Sequence, residues 1–175
     1  MFSCGPFFRR KVMRKKIPLF FLLLFLCSFL TGCTAGGVDA DEWVIDKFSS
    51  FSDIKDYCSS LDDIVTLYLS SGIDQDAYMS YLNQLDQKLT KLEDSIEKKE
   101  IKPGTFTENT MAAKEAYDDI WNSLRTLIDT LKSEQTVIEN KDALSYLYLA
   151  YQERLQNDVS KYAIGYNEAT AKRKE

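Results

Sequence analysis

Histidine is absent from all 175 residues. That absence removes much chemistry. A di-iron site in a helical core draws on Glu-x-x-His pairs. Zinc sites of the usual kind combine Cys with His. Ser-His-Asp or Cys-His catalysis needs an imidazole base. Cysteine is nearly as sparse, with Cys4, Cys27, Cys33 and Cys58 only. Beyond Cys33 only Cys58 remains, so no disulfide is expected within the body of the chain. Cys58 lies on an apolar helical stripe, where a small buried hydrophobe is the expected role. Beyond residue 38 there is one proline, Pro103, and three glycines, Gly72, Gly104 and Gly165. Long spans without breakers read as helix.

The first 32 residues have a different character. Arg9, Arg10, Lys11, Arg14, Lys15 and Lys16 form a cation cluster with no acid among them. Ile17–Leu30 follows, apolar apart from Ser28 and interrupted only by Pro18. A spanning helix needs about 20 apolar residues, and this run is shorter. It suits the apolar region of a signal peptide. The run ends in Leu30-Thr31-Gly32-Cys33, which resembles the lipobox of bacterial lipoproteins. The resemblance covers residues 13–33. It implies cleavage before Cys33, a diacylglyceryl group on the Cys33 sulfur and palmitate-type acylation. Two or three acyl chains anchor stably, since each buried methylene contributes about 0.8 kcal/mol. Residues 1–32 are then a signal peptide, 33–38 a lipidated tether and 39–175 the folded domain. Met13 directly before Arg14-Lys15-Lys16 also reads as a second candidate start. The implied address is the cell membrane, lipid-anchored and facing away from the cytoplasm.

Positive charge is scarce in the rest. Six of the 22 cations and none of the 27 acids lie in residues 1–32, so residues 33–175 carry 16 cations and a net charge of −11. Nucleic-acid surfaces are basic, so no nucleic-acid partner is expected.

Apolar periodicity places four helices. The first spans about residues 39–71, with Val44, Phe48, Phe51, Ile54, Cys58, Leu61, Val65 and Tyr68 on one stripe; Gly72 is placed to cap it in a left-handed conformation. The second spans about 74–102, N-capped by Asp74. Its heptad seam is Tyr78, Leu82, Leu85, Leu89, Leu92 and Ile96, and Pro103-Gly104 stops it. The third opens on Thr105 and Glu108 at capping-box spacing and carries Ala113, Tyr117, Ile120, Leu124, Leu127 and Leu131. The fourth spans about 141–170, with Leu144, Tyr148, Tyr151, Leu155, Val159, Tyr162 and Tyr166. Continuing the third seam would place Gln135, Ile138, Asp142, Ser145 and Gln152 in it, mostly polar, so a break is expected near residues 136–140, with Asn140 as N-cap. The expected fold is all-α, an antiparallel up-down-up-down four-helix bundle. A three-helix coil with the last two segments fused is the alternative, and the phase break counts against it.

Candidate chemistry is thin. Adjacent acids Asp62-Asp63 and Asp118-Asp119 diverge by about 100° on a helix and read as solvated faces. Ile73-Asp74-Gln75-Asp76 lacks the glycine and closing glutamate of a calcium loop. Ser59, Ser60, Ser70 and Ser71 lie within or at the end of a helix, with no strained turn expected to present them to a lysine base. Tyrosine is the enriched type, ten in all. Tyr146, Tyr148, Tyr151, Tyr162 and Tyr166 crowd the fourth helix, either as core or as a contact surface, because tyrosine is favoured in interface hot spots. Trp43 suits the headgroup level of a membrane. Lys172-Arg173-Lys174 reads as a frayed basic end, or one that folds back to the membrane.

The expected function is a membrane-anchored extracytoplasmic protein-interaction or structural module, neither enzyme nor cofactor binder. Its partner is another envelope or membrane protein. Small helical lipoproteins of phages and conjugative elements look similar in architecture. Heptad seams also pair between chains, which admits a homo-oligomer. The alternative is a module holding a small apolar or aromatic molecule between Tyr-rich helices.

Overall fold

The computed structural model describes residues 37–96 and 98–174; the cation cluster, Met13, the Leu30–Cys33 motif and most of the tether lie outside them. The compact unit begins at Gly37. Its described residues are helical apart from connections and one isolated parallel bridge, Val38 to Ile101. The helices are α1 (Ala40–Lys47), α2 (Phe51–Leu69), α3 (Gln75–Ser95), α4 (Glu108–Ser133), α5 (Gln135–Glu139) and α6 (Lys141–Lys172). A 3-10 turn, Phe48–Ser50, joins α1 to α2. None is long and apolar enough to cross a membrane.

α4 is the centre of the core. Its expected seam is buried throughout, and Ala116, Trp121 and Ile128 widen it. A face that broad has to meet more than one neighbour, and α4 packs on α6, α3 and α1. The third and fourth segments are separate. Glu134 is extended, α5 is a five-residue turn, and Asn140 caps α6 by accepting from the Asp142 and Ala143 N–H groups. Tyr68 fixes this corner. Its ring stacks on Tyr78 at 4.2 Å and its hydroxyl donates to the Ile138 carbonyl at 2.8 Å.

Four local expectations need correction. The second helix ends at Ser95, well before Pro103. Residues 98–102 run extended because Val38 pairs with them: its N–H donates to the Glu100 carbonyl, and its carbonyl accepts from the Lys102 N–H, both at 3.0 Å. The third helix is capped by Thr107 with Thr110, not by Thr105 with Glu108. The Thr105 hydroxyl oxygen accepts instead from the Ala40 N–H at 3.0 Å, across to α1. The left-handed residue after α2 is Ser71, at φ 61°, rather than Gly72. The Ser71 N–H donates to the Tyr68 carbonyl and the Gly72 N–H to the Leu67 carbonyl, a Schellman closure with serine in glycine's usual place. Finally, Trp43 is buried and meets Tyr117 edge-on at 5.5 Å, so it sits in the core and not at a headgroup level.

α3 and α4 are tied by one ion network. Arg125 donates to Asp86 at 2.6 Å and also pairs with Glu93, while Lys132 pairs with Asp86. The Lys132 and Arg125 hydrogen bonds hold the Asp86 carboxyl below the usual carboxylate range. A depressed acid stabilises the fold above its unfolded pKa, and that contribution fades as pH falls through the folded value. Asp86→Asn is therefore expected to cost about 1 kcal/mol at neutral pH, a half-exposed pair being screened. Urea midpoints of variant and wild type should converge as pH falls through the depressed titration of the folded Asp86 carboxyl. A gap that persists or widens in acid would contradict the assignment.

Candidate functional site

The five tyrosines of α6 do not form one surface. Tyr146 is 77% exposed, whereas Tyr148 and Tyr162 are buried and Tyr151 and Tyr166 half-buried. The Tyr162 hydroxyl donates to the Val44 carbonyl, and its ring lies 4.4 Å from Phe51. Tyr166 stacks on Phe48 at 4.2 Å. Val159, expected on the core stripe, is exposed, and Asp158 points inward at 3% exposure with Lys161 at 3.1 Å. Cys58 is half-buried rather than fully enclosed; Tyr57 takes the core position beside it. Burial pushes the Cys58 thiol up to about 11, which keeps it a poor nucleophile.

The acid pairs face solvent in part. Asp62 accepts from Gln152 at 3.1 Å and Asp118 pairs with Lys114 at 2.6 Å. Among the described residues no group of three or more His, Cys, Asp or Glu is placed to hold a metal. Ser71 departs from expectation, because it does occupy a strained turn, and the Lys141 ammonium donates to its hydroxyl at 2.7 Å. Lys141 also donates to the Leu69 carbonyl at 3.3 Å and sits 5.2 Å above the Tyr68 ring. The N–H groups of Ser71 and Gly72 are spent on the helix closure. The arrangement is a helix cap without spare donors for an oxyanion.

A cleft of about 360 Å³ is better formed. The 3-10 turn builds one wall. Ser49 and Ser50 donate back to the Asp46 and Lys47 carbonyls at 2.9 and 2.7 Å, which tightens the chain there. Asp46 and Asp53 stand on this wall, and Asp46 pairs with Lys99 at 3.1 Å. Leu92, Ser95 and Ile96, the early end of α3, give the second wall, and Tyr117 and Trp121 of α4 give the third. Lys47, only 5% exposed, holds its ammonium 5.9 Å from the Trp43 ring. The Tyr117 hydroxyl lies 3.1 Å from the Ser50 hydroxyl. Burial raises the Tyr117 pKa, and Ser50 and Trp121 partly offset this. Trp121 meets the Tyr117 ring edge-on at 6.2 Å, and its buried Nε1–H has no hydrogen-bond partner. A buried donor left unsatisfied costs about 1–3 kcal/mol.

Sequence reasoning missed this cleft. Trp121 lies off the α4 heptad seam, and the cleft opens because α3 ends early. The Ser49-Ser50 pair was the available local signal. No family model matches the chain, and no curated protein or solved structure gives a match to it.

Proposed function

We propose that the chain is a lipid-anchored extracytoplasmic protein whose helical domain is an interaction module for another envelope or membrane protein. The observation that carries the anchor is Leu30-Thr31-Gly32-Cys33 at the end of a cation cluster and an apolar run. The acidic, all-helical body supports a module without catalytic apparatus. We read that body as an up-down-up-down four-helix bundle. Support comes from contacts that run in opposite order along neighbouring helices. Val44 meets Tyr162 while Asp62 meets Gln152; Glu93 meets Arg125 while Asp86 meets Lys132. Thr107, at the start of α4, meets Glu168 near the end of α6. In that arrangement the start of the compact unit, Gly37, and the Lys172–Lys174 tail lie at the same end of the bundle.

Labelled palmitate tests the anchor. Wild type is expected to take up label and sediment with membranes, and Cys33→Ser to lose both. Crosslinking from the envelope should then recover a defined membrane protein with the wild-type chain only. An unlabelled wild-type chain would sink the anchor. A labelled chain with no specific crosslink would sink the interaction module.

A further inference from the structure

We propose that the cleft between the 3-10 turn, the end of α3 and α4 binds a small amphipathic primary amine with an adjacent carbonyl. That is the chemistry of an amino-acid amide or of a peptide's amino end. The proposal goes beyond the tethered-module reading and does not depend on the anchor.

Two donor side chains, Trp121 and Lys47, line the cleft. Trp121 is 9% exposed and its Nε1–H has no partner. Removed from water, it gains most from a slim acceptor such as a carbonyl oxygen. The Lys47 cation on the same cleft favours the acceptor end of a ligand near it and disfavours an ammonium. Two carboxylates line it on either side of the 3-10 turn. Asp46 is already paired with Lys99 at 3.1 Å, so the exposed Asp53 is the carboxylate left to receive a ligand ammonium. A surplus of 11 negative charges over residues 33–175 draws cations toward it. Leu92, Ile96 and the Trp121 ring add apolar surface for an aliphatic side chain. The volume, about 360 Å³, is near the lower limit of small-molecule sites and suits one or two residues.

Trp43 and Trp121 are the only tryptophans, and one borders the cleft while the other touches Lys47 and Tyr117. Intrinsic fluorescence of the full chain in detergent therefore reads the site. Leucinamide is expected to give a saturable change. N-acetyl-leucinamide, which lacks the charge, should bind about tenfold more weakly. Asp53→Asn and Trp121→Phe should each weaken leucinamide about fivefold or more, by calorimetry where the fluorophore is lost. Asp53 is on the surface, so its variant keeps the test valid if Trp121→Phe fails to fold. Leu-Gly-Gly-amide binding as tightly as leucinamide assigns a peptide end; binding of leucinamide alone assigns a free small amine. No saturable signal from leucinamide overturns the proposal. So does a signal indifferent to acetylation and to Asp53→Asn.

Discussion

Gly165→Val is expected to lower the thermal midpoint of the domain by about 10 °C. α6 passes α4 so closely at Gly165 that an added Cβ would lie 2.5 Å from the Asn109 carbonyl oxygen and 2.6 Å from the Ala113 Cβ. Neither neighbour is the free end of a flexible side chain. Asn109 is in the first turn of α4, and that turn is lashed to α6: Thr107 donates to Glu168 at 2.9 Å, and Asn109 donates to the same carboxylate. The helices have to separate to admit a side chain. Overpacking of this kind costs about 1–3 kcal/mol, and a β-branched residue against backbone belongs at the top of that range. About 3 kcal/mol in a domain of this size corresponds to about 10 °C. Gly165→Ala gives the graded control. Alanine gains roughly 0.5–1 kcal/mol in helix propensity over glycine, so its net loss should be smaller than valine's. Circular-dichroism melts that showed Gly165→Ala stabilised would contradict the close approach.

The same position explains what the sequence concealed. The buried or half-buried seam of α6 runs Leu144, Tyr148, Tyr151, Leu155, Asp158, Tyr162, Gly165, Ala169. Its steps alternate four and three without a break. A reading that follows apolar residues steps to Val159 and Tyr166 instead, because the true seam passes through a carboxylate and a glycine. α4 was legible because every seam position there is apolar. The stripe expected over 39–71 was legible in part: a 3-10 turn at Phe48–Ser50 interrupts the single helix expected there, Phe48 is drawn to the surface against Tyr166, and within α2 Tyr57 displaces Cys58 from the core. The early end of α3 had no local signal. Residues 98–102 are good helix formers by composition, and their extended form depends on Val38, some sixty residues away. The cleft inherits that blindness, since its wall is the end of α3.

The tyrosines of α6 supply the second large effect. Tyr162→Ala is expected to cost about 3–5 kcal/mol, and Tyr146→Ala less than about 0.5. Tyr162 is 1% exposed, lies among Phe51, Tyr117 and the α1 backbone, and donates to the Val44 carbonyl. Truncation removes the ring contacts and opens a cavity at the join of α1, α2, α4 and α6. Tyr162→Phe separates the two contributions. It keeps the ring and loses only the hydroxyl's hydrogen bond, about 1 kcal/mol. Tyr146 has no such surroundings. If α6 meets a partner, the side chain available for it is Tyr146, with Leu149 and Ile164, which are also more than half exposed. Denaturant melts and envelope crosslinking on the same two alanine variants therefore move oppositely. Tyr162→Ala should lower stability sharply, whereas Tyr146→Ala should leave stability intact and weaken partner capture. Equal stability loss in both would place Tyr146 in the core and contradict the fold of α6.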